Sequence, residues 1–494
     1  MELLSAIRRN LLFHPLRGVV IDDQRTWRGI DLMVASWHIA RAIERTSDSS
    51  RVGIMLPTSG AFPATCIAAW TLGRTIVPLN YLLSRSDLEY VAKDAGLDAL
   101  VTVGPMLDLI GGPLPGLTDI RLDQMKFTGI PPVRMTNPLK RDDIAVVLYT
   151  SGTSGRPKGV MLSGGNIGAN VRQIKECVDF SSKDTILGVL PQFHSFGLTV
   201  LTMLPLATGA RAVYTARFLP RKLVELAQKH KPTAFIAIPS MYNALRLLKD
   251  GTPSDFASLR FAVSGGEPLP DVVFEAFRDK FNIVINEGYG LTETSPVTNW
   301  CRPEDQRRKC VGHALPGIEQ RIVAPDGRVL GANEDGEVRM RGPNIMKGYL
   351  NLPEETAAVF DELGFFKSGD MGRLDDKGLL SITGRIKEMM IIGGENVFPR
   401  EIEEVLNRHE SVKDSAVIGM HDGMRGEVAL AFVELKENAT FDEGALKSFC
   451  REHIAGFKVP REIRVLEALP RNPTGKIMRR KLSAATTSAT TIVA

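Results

Sequence analysis

Short β-branched runs alternate with longer amphipathic segments from Arg51 to about Ile285, and this alternation narrows the possible folds more than any other feature. Arg51-Val-Gly-Ile-Met-Leu, Ala99-Leu-Val-Thr-Val, Ile144-Ala-Val-Val-Leu, Thr233-Ala-Phe-Ile-Ala-Ile, Leu259-Arg-Phe-Ala-Val and Asn282-Ile-Val-Ile-Asn each read as a buried strand. Most are closed by Gly, Pro or Ser. Apolar runs of that length suit strands covered on both faces. Their rhythm predicts βαβ units, hence parallel sheets with helices packed against them.

At 494 residues the chain exceeds a single core, so two or more domains are expected. Between Val311 and Leu380 the texture changes to closely spaced turns, with P-D-G at Pro325, E-D-G at Glu334 and D-D-K-G at Asp375, the pattern of a small antiparallel, barrel-like module. Beyond Gly384, Glu401 to Arg408 and Ala445 to His453 read as helices, and Asp414 to Met420 and Val428 to Leu435 as strands. The expected organisation is an α/β N-terminal domain over 1–384, with two βαβ subdomains and a small β-barrel-like one. A smaller α+β domain over 385–482 follows, then a disordered Ser/Thr/Ala-rich tail over 483–494.

The net charge of +4 is too small to argue for nucleic acid, and no block of like charges appears. Five scattered cysteines form no C-x-x-C pair, which favours reduced thiols in a cytoplasmic protein. The start, M-E-L-L-S-A-I-R-R-N, lacks the pattern of a secretory leader. The apolar stretch Phe196 to Ala210 is shorter than the roughly 20 residues of a spanning helix and contains Pro205, so a core element is expected, with at most peripheral membrane contact.

One loop asks for a ligand. Leu148 to Gly159, L-Y-T-S-G-T-S-G-R-P-K-G, combines three glycines, five hydroxyl-bearing side chains, Arg156 and Lys158 at the end of a strand. Backbone N–H groups, hydroxyls and positive charge suit a polyphosphate. The stretch is not a G-x-x-x-x-G-K-[ST] loop, because Pro157 precedes the lysine and Gly159 follows it. Taken alone, such a loop is more often a solvated Gly/Ser turn.

Four other segments bear on the choice. Gly288-Tyr-Gly-Leu-Thr-Glu-Thr offers an aromatic ring, small hydroxyls and a carboxylate able to hold Mg²⁺ through Glu293. Phe366-Lys-Ser-Gly-Asp370 offers a carboxylate for two ribose hydroxyls. Ile382-Thr-Gly-Arg-Ile-Lys-Glu-Met-Met-Ile-Ile-Gly-Gly-Glu-Asn-Val-Phe-Pro crosses the expected boundary, and Leu469-Pro-Arg-Asn-Pro-Thr-Gly-Lys-Ile sets Lys476 on a Pro/Gly turn.

In that order and spacing, Y-T-S-G-T-S-G-R-P-K-G, G-Y-G-L-T-E-T, S-G-D, G-R-I-K-E and P-T-G-K-I resemble the adenylate-forming superfamily of acyl- and aryl-CoA synthetases, luciferases and peptide-synthetase adenylation domains. The resemblance covers about Leu11 to Leu482. It implies an enzyme that converts a carboxylic acid and ATP to an acyl-adenylate and pyrophosphate, then passes the acyl group to a thiol. ATP, Mg²⁺ and CoA are the implied cofactors.

By the same resemblance Thr150, Ser151, Gly152, Thr153, Ser154, Gly155 and Lys158 line the pyrophosphate site. Gly265, Gly266, Glu267, Gly288, Tyr289 and Gly290 surround adenine, with Tyr289 stacked on it. Thr292 touches the α-phosphate, Glu293 with Thr150 holds the metal, and Asp370 and Arg385 bind ribose. Lys476 reaches between the reacting carboxylate and the α-phosphate. Lys387 is the hinge about which the small domain rotates, bringing Met390 to Gly394 beside the thiol arm, where Gly393 and Gly394 give backbone clearance.

The acid is narrowed by Pro191-Gln-Phe-His-Ser-Phe-Gly. Amino acid-activating relatives carry Asp where His194 stands, and His is common among CoA ligases. L-P-Q-F-H-S-F-G-L-T-V and R-G-P-N-I-M-K-G-Y-L look most like fatty acid-activating members, with Phe196, Met241 and Tyr242 as candidate pocket residues. A medium- or long-chain fatty acid ligated to CoA is therefore expected. A carrier-protein thiol as acceptor, an aryl acid as substrate, or a non-catalytic nucleotide-binding protein are the alternatives, and a homodimer stays open. Two departures, Leu162-Ser-Gly-Gly-Asn for L-T-H-R-N and Ser264-Gly-Gly-Glu for Ser-Gly-Ala-Ala, bear on specificity.

Overall fold

The computed structural model describes residues 1–129, 131–136, 138–150, 156–422, 426–471 and 477–487. The chain divides into two compact units. The first comprises Met1–Pro268, Ala276–Gln320 and Met340–Lys367. The second comprises Leu269–Glu275, Arg321–Arg339 and Ser368–Ala494.

The first unit is built on two sheets. In the seven-stranded sheet the order is Gly348–Tyr349, Lys158–Ser163, Ile144–Thr150, Thr75–Pro78, Arg51–Met55, Ala99–Thr102, Thr118–Arg121. The five strands from Ile144–Thr150 onward pair in parallel. Their residues are largely buried, as expected for strands with both faces covered. The helix Ala61–Thr71, which connects Arg51–Met55 to Thr75–Pro78, is itself apolar and buried over nearly its whole length.

In the nine-stranded sheet six strands run parallel, in the order Gly18–Ile21, Arg211–Tyr214, Thr185–Gly188, Ala234–Ala237, Phe261–Ser264, Ile285–Gly290. Antiparallel strands close its edges. The last parallel strand begins later than the apolar run implied. Asn282 adopts φ +55° after the helix Asp271–Phe281 and donates its N–H to the Arg278 carbonyl. A left-handed Asn is a common way to end a helix, and it delays ladder pairing to Ile285.

The Phe196–Ala210 stretch is a core element. Gly197–Met203 forms a π-helix with all seven residues buried, and it runs into the helix Leu204–Thr208. Among the described residues no helix is long and apolar enough to cross a membrane.

The second unit carries a hairpin in which residues 370–374 pair antiparallel with Leu380–Arg385 around the D-D-K-G turn, where Gly378 has φ +76°. The P-D-G at Pro325 is also a turn, closed by the Gly327 N–H on the Ala324 carbonyl. A five-stranded sheet follows, formed by Glu395–Val397, Met390–Ile392, Gly426–Leu435, Val412–Asp422 and Glu462–Val465. The helices Pro399–Leu406 and Glu443–His453 contribute Ile402, Val405, Leu446 and Cys450 to its core. The helix Arg479–Thr487 carries the chain past Leu482, which is 2% exposed, so the disordered tail expected from Ser483 is helical over its first five residues. The buried Leu482, in the cluster of Ala416, Ile418, Leu430 and Leu469, anchors that helix.

Candidate active site

The glycine-rich loop joins two adjacent strands. Ile144–Thr150 and Lys158–Ser163 pair antiparallel with Thr150 opposite Lys158, so the loop closes a hairpin and no helix follows it directly. Ser151, Gly152, Thr153, Ser154 and Gly155 lie outside the described residues. Of the two flanking cations, Arg156 sits 5.2 Å from the Tyr90 ring centroid. Lys158 makes an ion pair with Glu355 and has its Nζ 5.4 Å from the Tyr349 ring.

Tyr349 links this hairpin to the G-Y-G-L-T-E-T segment by donating its hydroxyl to Glu293 Oε1 at 2.9 Å. Burial, and then the Glu293 charge, push the Tyr349 phenol well above its ordinary value, so it stays a protonated donor. Glu293 lies on the 3₁₀ turn Thr292–Thr294. That turn is held by the Met346 N–H on the Glu293 carbonyl and by the buried Asn344 amide on the Thr294 carbonyl. Thr292 is within 3.3 Å of the Ser195 hydroxyl. Among the described residues no group of three or more His, Cys, Asp or Glu is placed so that it could hold a metal ion. One carboxylate with a hydroxyl fits Mg²⁺, which usually keeps waters and substrate phosphate oxygens as its other ligands.

Gly288, Tyr289 and Gly290 are part of the strand Ile285–Gly290, not of a turn beyond it. Here the strand changes partner, from parallel with Phe261–Ser264 to antiparallel with Val297–Trp300, which places Tyr289 opposite Asn299. A side chain at Gly290 would meet the Pro296 carbonyl at 2.0 Å. At the end of Phe261–Ser264, Gly265 faces the Phe196 ring, Gly266 turns with φ +85°, and Glu267 is half-buried. His194 is exposed on the turn that enters the π-helix, where its N–H donates to the Pro191 carbonyl.

Two candidates prove to be core. Tyr242 is fully buried, donates to the Phe235 and Val263 carbonyls at 3.1 and 3.0 Å, and packs its ring on Phe235 and Phe277. Met390, expected beside the thiol arm, is 1% exposed within the core of the second unit. Its neighbour Ile391 is 52% exposed, as strand alternation requires. The departure at Gly164-Gly165 also has a local cause. A Cβ at Gly164 would meet Met1 Sδ at 2.2 Å, and one at Gly165 would meet the Arg141 carbonyl at 2.8 Å.

In the second unit Asp370 and Arg385 face each other across the hairpin, with Arg385 Nε 3.0 Å from Asp370 Oδ1. Asp370 is buried and Arg385 exposed. Lys387 is exposed on the 3₁₀ turn Ile386–Glu388. Gly393 and Gly394, at φ +61° and +87°, form the two-residue turn between Met390–Ile392 and Glu395–Val397. That turn needs positive φ at both positions. Lys476 lies outside the described residues, but its flanks are anchored. Arg471 bridges Ile477, and the Arg479 guanidinium holds both oxygens of the half-buried Glu403 at 2.7 and 2.8 Å.

Tyr349, Glu355, Asn344 and Ser195 were not among the residues expected at the site. R-G-P-N-I-M-K-G-Y-L contains two of them, but nothing local in that string tells where its side chains meet the rest of the chain.

The AMP-binding enzyme family matches residues 8–350 and the AMP-binding enzyme C-terminal domain matches 401–476. A long-chain-fatty-acid–CoA ligase of Bacillus subtilis is 32% identical over 490 residues, covering 87% of this chain and 85% of that protein. A 3-[(3aS,4S,7aS)-7a-methyl-1,5-dioxo-octahydro-1H-inden-4-yl]propanoyl:CoA ligase of Mycobacterium tuberculosis is 32% identical over 504 residues, covering 97% of each. O-succinylbenzoate CoA synthetase from Bacillus subtilis, solved with ATP and magnesium ion, superimposes with a TM-score of 0.87 at 28% identity over 97% of this chain and 99% of that one. The fold is thus a large N-terminal α/β domain followed by a smaller C-terminal one. With its loop hairpin, its Tyr349–Glu293 contact and its Asp370–Arg385 pair now placed, the chain belongs to the AMP-binding enzyme family, among the adenylate-forming acyl-CoA synthetases and ligases.

Proposed function

We propose that the acid activated by this ligase is a medium- or long-chain fatty acid and that the acceptor is the thiol of CoA. The coarser chemistry is that of an AMP-forming acyl-CoA ligase working with ATP, magnesium and CoA. What supports the finer reading is the wall behind His194: Phe196 is half-buried, and the π-helix Gly197–Met203 beyond it is buried without a single charged group. An ammonium-bearing substrate would find no counter-charge on that wall.

In the first step a carboxylate oxygen attacks the α-phosphorus, the bond to the bridging oxygen breaks, and pyrophosphate leaves. In the second, the CoA sulfur attacks the acyl carbon, giving up its proton, and AMP departs. The in-line displacement depends on positioning and on charge stabilisation. In this reading Lys158 and the loop Thr150–Gly155 hold the β- and γ-phosphates, while Tyr289, Gly288, Gly290, Gly265, Gly266 and Glu267 frame adenine. Thr292 meets the α-phosphate, and His194 lies against the carboxylate. Glu293 with Thr150 holds magnesium, which supplies charge neutralisation on the phosphate oxygens when bound. Asp370 and Arg385 take the ribose, and Lys476 spreads the charge that builds between carboxylate and phosphorus. Lys387 is the hinge, and Gly393 and Gly394 admit the pantetheine arm.

An aryl acid is the second reading, supported by the aromatic acid in the name of the solved relative and by the Phe196 ring beside Gly265. Pyrophosphate release, screened over fatty acids of graded length, benzoates and amino acids with CoA present, separates the two. Turnover confined to benzoates would overturn the fatty-acid assignment. Replacing CoA by a carrier-protein thiol in the same assay tests the acceptor.

A further inference from the structure

We propose that Tyr349 is a positioning residue for adenylation, its hydroxyl aiming the Glu293 carboxylate and its ring seating Lys158. This inference rests on the roles of Glu293 and Lys158 proposed above. Tyr349 is 8% exposed and sits on the two-residue strand Gly348–Tyr349, which pairs with the return strand of the loop hairpin, Tyr349 opposite Val160. Its own N–H donates to Thr356 Oγ1 at 2.8 Å, so the backbone that carries the phenol is fixed from both sides.

The segment Gly342–Tyr349 meets the Thr292–Thr294 turn in three ways. The Met346 N–H and the Asn344 amide bind backbone carbonyls of the turn, at 2.8 Å each. These contacts engage the backbone carbonyls of the turn and not the Glu293 side chain. The Tyr349 hydroxyl, 2.9 Å from Oε1, restrains the carboxylate itself. A neutral donor on one oxygen orients a carboxylate without cancelling its charge, and so preserves its attraction for a cation. The same ring has Lys158 Nζ 5.4 Å from its centroid. That separation is within cation–π range. One side chain therefore touches both the carboxylate assigned to the metal and the ammonium assigned to the phosphates.

The test uses Tyr349→Phe, which keeps the ring and removes only the donor. Calorimetric titration with ATP at graded magnesium concentration is expected to show the half-saturating magnesium raised about tenfold, the usual scale for losing a hydrogen bond to a charged group. ATP binding without metal and the KM for the acid should stay at wild-type values. Glu293→Gln should remove the magnesium dependence, and adding Tyr349→Phe in that background should change nothing further. An unaltered magnesium requirement in Tyr349→Phe, beside a loss in Glu293→Gln, overturns the positioning role and leaves the Glu293 assignment standing. Normal magnesium dependence in Glu293→Gln overturns the Glu293 assignment itself.

Discussion

Asp370 is a buried carboxylate with the exposed Arg385 guanidinium 3.0 Å away and its own N–H on Ser368 Oγ at 3.0 Å. If both ribose hydroxyls donate to it, Asp370→Ala should raise the KM for ATP about tenfold or more while leaving the KM for the acid unchanged, because hydrogen bonds to charged groups contribute about 1.5–3 kcal/mol. Pyrophosphate-release kinetics with either substrate varied would show the split. Tyr242 carries the opposite expectation. Its hydroxyl satisfies two backbone carbonyls inside the core, so Tyr242→Phe should cost about 1 kcal/mol in denaturant unfolding. Its acid-length profile should match the wild type, and a shifted profile would return Tyr242 to the pocket.

Among the secondary-structure elements, the strand pair Arg51–Met55 and Ala99–Thr102 shows how one carboxylate ties a connection to its neighbour. Asp98, just before the second strand, accepts from the Ser47 hydroxyl and from the N–H groups of Asp48 and Ser49, in the turn between the helix Gly29–Thr46 and the first strand. Burial alone would raise its pKa, but these donors outweigh it and hold the group below its ordinary 3.8. A depressed folded value means stability that is present above pH 3.8 and lost as pH falls through the folded value. Asp98→Asn is expected to cost about 1–2 kcal/mol at neutral pH. Parallel denaturant melts should show the gap to wild type closing once the pH drops below that ordinary value. A gap that persists under acid would assign the loss to packing.

For the molecule as a whole, adenylation and thioester formation should separate by variant. Lys476→Ala is expected to abolish acid-dependent pyrophosphate release and to spare thioester synthesis from added acyl-adenylate. Lys387→Pro, which removes an N–H and fixes φ in the turn Ile386–Glu388, should spare adenylation and block transfer to CoA. Single-turnover assays of each half-reaction check both. Equal loss of both half-reactions in Lys476→Ala, or normal overall turnover in Lys387→Pro, would remove the assigned roles. The Arg479–Glu403 pair bears on the first case, because it anchors the helix that begins three residues after Lys476.

Strands, helices and turns were readable from local order. A strand buried on both faces must be apolar within its own few residues, and so Arg51–Met55, Ala99–Thr102, Ala234–Ala237 and Phe261–Ser264 lie where the runs placed them. The same holds for D-D-K-G, where the positive φ at Gly378 is a property of the residue itself. Motif spacing carried the chemistry in the same way. Packing between distant segments settled the remainder. Tyr349 and Glu293, 56 residues apart, become partners because a two-residue strand docks on the loop hairpin. Tyr242 and Met390 turn inward although their neighbours read like a pocket or a thiol channel. Which face of an element meets which other element depends on the free energy of burying both at once, and no single stretch of chain contains that sum.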